Sequence, residues 1–212
     1  AIDIGTQYIH RKLEKRSPSL LLSAQYKIAR KAVFSKIYAR FGGRIRIFVS
    51  GGAPLNRTTA EFFMMTGFTI LEGYGLTEAS PVISVNREGE IEIGTVGKPL
   101  DNIEVKIAED GEILARGANI MRGYWNDKIS TNEVIDSEGW LHTGDIGVFT
   151  DKGNLKITDR KKHLLVSSGG KNIAPAPIEN LICQSRFIDQ CLLIGDNREY
   201  CTALITPDYE IV

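Results

Sequence analysis

The feature that most constrains the fold is a strand–helix–strand unit whose two strands each end in a glycine turn. The segment 44–50 predicts a strand, 56–66 a helix, and 68–72 a second strand. Glycine turns follow both strands, the first with Gly51, Gly52, Ala53 and Pro54 and the second with Gly73, Tyr74 and Gly75. This order with short loops is typical of a parallel α/β layer, so we expect one here.

Residues 18–41 are predicted to form one amphipathic helix. Apolar side chains recur at spacings of three and four, at Leu22, Tyr26, Ala29, Val33, Ile37 and Phe41. The basic residues Lys27, Arg30, Lys31 and Lys36 lie off that stripe. Gly42 and Gly43 predict the end of the helix.

From residue 92 to 158 the pattern changes to short strands separated by turns. The clearest predicted strands are Ile103–Ile107, Gly111–Arg116, Gly144–Thr150 and Asn154–Thr158, with a hairpin turn at Asp151–Gly153. A charged link at 159–162 precedes a predicted strand at 163–166, a helix beginning near Pro175–Glu179, and strands at 190–195 and 201–206. We therefore predict a mixed α/β fold: the end of a large parallel-sheet domain at 1–90, a barrel-like β-rich subdomain at 91–158, a hinge at 159–163, and the start of a small α+β domain at 164–212.

Charge is unevenly distributed along the chain, although it contains 26 acidic and 26 basic residues. Residues 1–46 carry eleven Lys or Arg against two acids, which gives about +9 there and about −9 elsewhere. Two interpretations of residues 11–46, the basic segment, stay open. They form either a surface for phosphate groups or an anionic membrane, or a solvated helix face.

Composition narrows the class of protein. The chain is 42% hydrophobic and 25% charged, as in a globular protein, and no apolar run approaches the roughly 18 residues that span a bilayer. The three cysteines lack disulfide or zinc spacing, so we expect reduced thiols in a cytoplasmic protein. The first residue is Ala and no closing element ends the chain, so we expect a piece of a longer protein.

The two glycine turns are candidate ligand loops. The Gly51–Pro54 turn lets a backbone lie close to a flat ligand, or it is a plain tight turn. In the second turn, Tyr74 offers a ring to stack on a base, Thr77 a donor for a phosphate oxygen, and Glu78 a carboxylate for Mg²⁺. The alternative is that Thr77 caps a helix and Glu78 lies in its first turn.

Two later clusters add polar groups. Asp145, at a predicted strand start, offers a carboxylate that accepts from two ribose hydroxyls, or it is a turn residue. Arg160 in the charged link offers a guanidinium to ribose or phosphate, and the turn with Gly169 and Gly170 offers room for a thin ligand arm; the alternative is a solvated linker and a flexible turn. His142 has no neighbours at metal-ligand spacing.

The order of these motifs resembles the adenylate-forming superfamily, which includes acyl-CoA ligases, adenylation domains of peptide synthetases and beetle luciferase. The resemblance runs from about residue 44 to the end and rests on GYGLTE, GWLHTGD, DRKK and SGGKN. Three longer strings are most similar to long-chain fatty-acid CoA ligases, namely GYGLTEASPVISVN, KKHLLVSSGGKNIAPAPIEN and SRFIDQCLLIGDNREYCTALITPD.

The resemblance implies a two-step reaction with fatty acid, ATP and CoA as substrates and Mg²⁺ as cofactor. A carboxylate attacks the α-phosphate of ATP to give acyl-AMP, and the CoA thiol then displaces AMP. The resemblance implies that Tyr74 packs on adenine and that Thr77 contacts phosphate. It implies that Glu78 binds Mg²⁺, Asp145 holds the ribose hydroxyls, and Arg160 reaches the nucleotide.

Further roles follow from the same resemblance. Lys162 occupies the hinge position, where backbone torsions absorb rotation of the small domain. The residues Gly51, Gly52, Ala53, Pro54, Gly73 and Gly75 border the adenine and acyl site. Gly169 and Gly170 lie near the pantetheine tunnel.

The 212 residues lack two parts that the resemblance implies, a phosphate loop and a C-terminal lysine that contacts the reacting carboxylate. We therefore expect this piece alone to be inactive. Alternatives are another adenylate-forming activity, such as a peptide-synthetase adenylation domain or a CoA ligase for another acid, and a non-catalytic nucleotide-binding module. No nucleic-acid partner is expected.

Overall fold

The computed structural model describes residues 1–211 and has a mixed α/β fold, as expected. Its residues form two compact units. The first comprises 1–104, 117–121 and 149–156, and the second comprises 105–116, 122–148 and the residues from 157 onward.

The secondary structure runs in the following order. The helices are α1 (Ile2–Leu13), α2 (Leu20–Ala29), a π-helical turn (Arg30–Phe34), α3 (Ser35–Arg40), α4 (Arg57–Thr66), α5 (Lys128–Val134) and α6 (Pro175–Ile182). The strands are β1 (Ile47–Ser50), β2 (Thr69–Gly75), β3 (Val82–Val85), β4 (Lys98–Pro99), β5 (Ile103–Ile107), β6 (Glu112–Gly117), β7 (Leu141–Phe149), β8 (Leu155–Arg160), β9 (Leu165–Val166), β10 (Asn172–Ile173), β11 (Ile188–Ile194) and β12 (Thr202–Pro207). Two 3₁₀ turns lie at Thr77–Ala79 and Lys161–His163.

The predicted strand–helix–strand unit is present in the first unit. β1 and β2 pair in parallel around α4, and β3 and β4 extend the sheet in antiparallel fashion in the order β1-β2-β3-β4. Local signals set the bounds of α4. The Asn56 side chain accepts from the Thr58 and Thr59 amides, and Gly67 ends the helix with φ of 109°. The parallel prediction is thus confirmed for β1 and β2 only.

β2 continues through Gly73, Tyr74 and Gly75, which the sequence predicted to be a loop. Gly73 pairs with Val85 and Tyr74 with Ser84, so the strand is held by β3 beyond the predicted end at Glu72. Glycines in a strand usually signal a turn, but here the partner strand satisfies their backbone groups.

The predicted helix over 18–41 is present as α2, the π turn and α3, but its buried stripe was wrong beyond Ala29. The π turn inserts one extra residue. Phe34 is therefore buried, at 1% exposure, where an uninterrupted α-helix would bury Val33, which is 42% exposed. The basic residues Lys27, Arg30, Lys31 and Lys36 are exposed, as predicted.

α1, which the sequence analysis did not predict, completes the core beside these helices. The buried cluster contains Ile9, Tyr26, Ala29, Phe34 and Met65. The Tyr26 ring stacks on Tyr8 with centroids 3.9 Å apart, and the Tyr26 hydroxyl donates to the Met65 carbonyl at 2.9 Å. These contacts join α1, α2 and α4.

The second unit contains most of a four-stranded sheet of order β5-β6-β7-β8. β5 has its predicted bounds, and the Gly111–Arg116 prediction agrees with β6 to within one residue. β7 begins three residues earlier than predicted, so Asp145 lies inside the strand and not at its start. β8 extends to Arg160, so part of the predicted charged link is strand.

The remaining elements of this unit are short. The predicted strand at 163–166 is a 3₁₀ turn followed by β9, which forms a hairpin with β10. α6 begins at Pro175 as predicted, because proline at the first helical position needs no hydrogen-bond acceptor. β11 and β12 form an antiparallel pair.

Candidate functional site

Two of the predicted ligand loops lie together in the first unit. β1 and β2 are parallel with Ser50 opposite Glu72, so their following residues emerge at the same edge of the sheet. A Cβ placed on Gly51 would lie 3.2 Å from the Gly73 carbonyl oxygen. The Gly51–Pro54 turn and the Gly73–Gly75 segment therefore approach each other closely, at the edge where open α/β sheets hold ligands.

Gly75 has a packing role that requires no ligand. A Cβ at this position would overlap the Pro81 carbonyl and lie 2.9 Å from the Val82 Cα. The same Pro81 carbonyl accepts a hydrogen bond from the Leu76 amide at 2.8 Å. The absence of a side chain at Gly75 therefore lets β2 and β3 close.

Tyr74, Thr77 and Glu78 differ in exposure. Tyr74 is buried, at 7% exposure, Thr77 is exposed, and Glu78 is half-buried. The turn that holds Thr77 and Glu78 is anchored by the Met121 amide, which donates to the Glu78 carbonyl at 2.8 Å, and by the Asn119 side chain. Leu76, and not Thr77, is the N-cap of this turn, so the capping interpretation of Thr77 was wrong, whereas Glu78 does lie in the first turn.

Glu72, which the sequence analysis did not select, is a buried carboxyl just before Tyr74. It is 8% exposed and accepts from the Gly94 amide at 2.8 Å. Burial raises the pKa of Glu72 from its ordinary value, and the Gly94 hydrogen bond opposes this only in part. Ionisation of Glu72 is therefore unfavourable in the folded chain, at a position two residues before Tyr74.

Asp145 lies on a bulge of β7 in the second unit. Glu112 pairs with Ile146 and Leu114 with His142, so two steps on β6 face four on β7. Within this bulge Gly144 has φ of 72°. The bulge redirects the side chain of Asp145, which is 3% exposed.

Asp145 and Arg160 are close partners within the second unit. The Arg160 Nε lies 3.2 Å from the Asp145 Oδ1, with the arginine side chain largely exposed. Lys162, in the following 3₁₀ turn, is exposed. Gly169 and Gly170 form the turn of the β9–β10 hairpin, in which the Gly170 amide donates to the Ser167 carbonyl at 2.8 Å.

A charged cluster that was not predicted from the sequence contacts the bulge that carries Asp145. Glu112 is 4% exposed, and its Oε1 accepts from the Gly144 amide at 2.9 Å. Its Oε2 lies 3.1 Å from the His142 Nδ1 and accepts from the Lys161 ammonium at 2.9 Å. Lys161 also contacts Asp110 Oδ2 at 2.6 Å. These partners come from β6, β7 and the turn after β8, so their proximity is not visible in local sequence.

Among residues 1–211, no group of three or more His, Cys, Asp or Glu side chains is arranged to hold a metal. Mg²⁺ is commonly held by one or two carboxylates together with substrate phosphates and water, and the half-buried carboxylate of Glu78 in the first unit is compatible with that mode of binding. In the second unit, Asp145 has two carboxylate oxygens with about four lone-pair sites, and one of these oxygens contacts Arg160.

A separate cavity of about 750 Å³ lies in the first unit. Tyr8, Arg30 and Phe68 are among the residues that line it. None of the predicted site residues, all of which the structure describes, lines this cavity. It is therefore not the candidate nucleotide site.

The fold and these loops place the chain in a known class. The profile of the AMP-binding enzyme family matches residues 9–125, and that of the AMP-binding enzyme C-terminal domain matches residues 162–212. The chain belongs to the AMP-binding enzyme family.

Relatives with known names are ligases. A long-chain-fatty-acid–CoA ligase of Mycobacterium bovis is 41% identical over 197 residues, which cover 93% of this chain and 33% of that protein. The peroxisomal long chain acyl-CoA synthetase 6 of Arabidopsis thaliana is 41% identical over 198 residues, 86% of this chain and 28% of that protein. The chain thus spans about a third of the length of these relatives.

A solved structure has the same fold over most of the chain. The O-succinylbenzoate coenzyme A synthetase of Bacillus subtilis, in complex with ATP and magnesium ion, matches with a TM-score of 0.68 and 30% identity. The match covers 77% of this chain and 37% of the synthetase.

Proposed function

We propose that the chain is a section of an ATP-dependent long-chain acyl-CoA ligase. In this reaction a fatty-acid carboxylate attacks the α-phosphate of ATP, which releases pyrophosphate and forms acyl-AMP. The CoA thiol then attacks the acyl carbon and AMP leaves. The observation that carries the proposal is the 41% identity to a long-chain-fatty-acid–CoA ligase over 93% of the chain.

In the first unit, Tyr74 at the end of β2 and the Thr77–Ala79 turn would bind the nucleotide. The proposed roles are adenine packing for Tyr74 and donation to a phosphate oxygen for Thr77, whose side chain is exposed to solvent. Glu78 would hold Mg²⁺, which supplies neutralisation of phosphate charge when bound with ATP. Chemistry at phosphorus depends mainly on such positioning and neutralisation.

In the second unit, Asp145 would hold the ribose hydroxyls, and Arg160 would orient the carboxylate of Asp145. A bulged strand is suited to this task, because it fixes the direction of one side chain within a rigid sheet. Arg160 keeps a largely exposed guanidinium beside the buried carboxylate. This leaves its outer N–H groups available to a nucleotide.

We propose the same domain organisation as the sequence predicts, with residues 1–90, 91–158 and 164–212 joined by a hinge at 159–163 and Lys162 as the pivot. The C-terminal family profile begins at residue 162, which supports a boundary there. Within the 3₁₀ turn at Lys161–His163, the exposed residues Lys162 and His163 suit a pivot, because their torsions change without disturbing packed side chains.

Nucleotide binding by this chain is the first test. We expect AMP to produce measurable heat in calorimetry at millimolar concentration, and Asp145→Asn to remove it. Asp101→Asn, a change in a carboxylate whose side chain is 91% exposed, is the matched control and should bind normally. Equal binding by the two variants would contradict the role of Asp145.

Turnover is the second test. The 212 residues contain only part of the site that the family resemblance implies, so we expect no pyrophosphate release with ATP and a fatty acid. Clear turnover by this chain would overturn that expectation.

We also propose that the basic segment, residues 11–46, contacts an anionic membrane surface. Leu21 and Ile28 lie seven residues apart on one face of α2 and are 70% and 69% exposed, while Lys27 and Lys31 lie beside them. Apolar side chains flanked by lysines are typical of helices that lie on anionic bilayers. Within residues 1–211 no helix has both the length and the apolar character to cross a bilayer.

Vesicle sedimentation tests the membrane contact. We expect the chain to sediment with vesicles containing anionic lipid, less so at high salt, and not with neutral vesicles. Leu21→Ser combined with Ile28→Ser should reduce binding, whereas Leu192→Ser, an exposed leucine of the second unit, should not. Binding that ignores both salt and lipid charge would remove the proposal.

A further inference from the structure

One buried carboxylate contacts both the bulge that carries Asp145 and the residue before the proposed pivot. Glu112 accepts from the Gly144 amide, one residue before Asp145, and from the Lys161 ammonium, one residue before Lys162. All of these residues belong to the second unit.

The contacts use both oxygens of Glu112 differently. Oε1 bonds only to the backbone of the bulge among the bonds described, at 2.9 Å from the Gly144 nitrogen. Oε2 faces His142 at 3.1 Å and Lys161 at 2.9 Å. Loss of both carboxylate oxygens therefore affects the bulge and the turn together, whereas loss of Lys161 affects the turn.

The electrostatics favour an ionised Glu112. Burial opposes ionisation, but the Lys161, His142 and Gly144 hydrogen bonds outweigh it and hold the pKa of Glu112 below its ordinary value. Asp110 and Glu112 together raise the pKa of Lys161. A buried carboxylate with three such donors is costly to disturb, because removal of its partners leaves charge in a medium that solvates it poorly.

The contacts of Glu112 with Gly144 and Lys161, here called the Glu112 clamp, explain where a hinge would begin. Lys161 is fixed to β6 through Glu112 and to the turn before β6 through Asp110, and its neighbour Arg160 is the last residue of β8. Lys162 is the first exposed residue after this anchorage for which no side-chain hydrogen bond is described. A rotation of the following domain would therefore be confined to torsions from Lys162 onward.

We propose that Glu112 is a positioning residue that, with Lys161, sets the stationary side of the hinge and holds the Asp145 bulge in one orientation. The proposal rests on the proposed function for the roles of Asp145 and Lys162. It assigns to Glu112 no contact with substrate. Its effect is exerted through the backbone of Gly144 and the side chain of Lys161.

Hydrogen exchange of the chain, followed by mass spectrometry, tests the clamp without any need for activity. In Glu112→Ala, which removes both acceptor oxygens, peptides that cover 141–149 and 160–166 should both exchange about tenfold faster or more, the ratio expected for loss of a hydrogen bond to a charged group. In Lys161→Met, only the 160–166 peptide should accelerate. Glu90→Gln, which breaks the exposed pair with Lys98 in the first unit, is the matched control and should change neither.

The pattern of exchange decides between positioning and general stability. A uniform rise across all peptides of the β5–β8 sheet in both variants would overturn the proposal, as would unchanged exchange at 160–166 in Lys161→Met. If Glu112→Ala fails to fold, the Lys161→Met result alone decides. Nucleotide binding is measured separately by calorimetry, so its failure would count against the proposed function and leave the clamp standing.

Discussion

Gly75→Ala is expected to disrupt the antiparallel pairing of β2 with β3 in the first unit, and Gly73→Ala is expected to be tolerated. At Gly73 an added methyl would lie 3.5 Å from the Ser84 carbonyl oxygen and from Val85, which is ordinary contact. At Gly75 it would overlap the Pro81 carbonyl. Neither glycine has a positive φ, so the two variants differ in packing and not in backbone strain.

The magnitude follows from what must move. Relief of the overlap requires the Pro81 carbonyl to retreat, which breaks its 2.8 Å hydrogen bond with the Leu76 amide. Loss of that bond costs about 0.5–1.5 kcal/mol and the overpacking about 1–3 kcal/mol, so we expect a total of about 1.5–4.5 kcal/mol. For Gly73→Ala we expect a change within about 1 kcal/mol, because reduced freedom of the unfolded chain offsets small packing adjustments.

Urea denaturation, followed by far-ultraviolet circular dichroism, measures the difference in unfolding free energy between the two variants. Both tryptophans, Trp125 and Trp140, belong to the second unit, so their fluorescence is a poor probe of this pairing. Hydrogen exchange of peptides over 69–85 adds a local readout. If the two variants unfold within about 0.5 kcal/mol of each other, the packing explanation for Gly75 is refuted.

Three further results are expected. The pKa of Glu112 is lower in the folded than in the unfolded chain, so its stabilising effect should be complete above about pH 4.5 and lost as the pH falls through the folded-state pKa. Glu112→Gln should therefore flatten the acid limb of a curve of unfolding free energy against pH, and an unchanged limb would contradict this. Burial raises the pKa of Glu72, so Glu72→Gln, which keeps an acceptor for the Gly94 amide, should raise the free energy of unfolding at pH 7. This gain should shrink as the pH falls through the folded-state pKa of Glu72 and be absent below about pH 4.5, and a destabilised variant at pH 7 would refute the sign. Phe34→Ala should cost about 3–5 kcal/mol and Val33→Ala less than about 1 kcal/mol in thermal or urea unfolding; the reverse order would mean that the π turn is absent.

Local signals in the sequence were sufficient for much of the fold. The cap at Asn56, the left-handed glycine at position 67 and the proline at 175 each act through neighbouring backbone groups, so the bounds of α4 and the start of α6 could be predicted. The Asp151–Gly153 hairpin turn was predicted for the same reason, and Gly153 has φ of 76°.

Features that depend on partners distant in sequence were not predictable in this way. β2 runs through Gly73 and Gly75 only because β3 pairs with it. Phe34 is buried instead of Val33 because the helix packs against α1 and α4, and the π turn accommodates that packing. Periodicity alone assumes an unbroken helix.

The same distinction applies to the candidate site. Motif order located Tyr74, Thr77, Glu78, Asp145 and Arg160, and their roles stay predictions. Glu112 was missed because its partners lie 30 to 49 residues away along the chain. A strand glutamate beside a glycine turn carries no local sign that it will be shared between a bulge and a hinge.

The extra residue in the Arg30–Phe34 turn has a consequence for the comparison of related sequences. A homologue whose helix is uninterrupted should lack one residue here, and an ungapped alignment would then equate its buried side chain with the solvent-facing Val33. Substitution patterns at positions 30–40 would appear inverted, with polar residues falling in apparently interior columns. Placement of a single-residue gap within the turn would restore the match between hydrophobicity and burial.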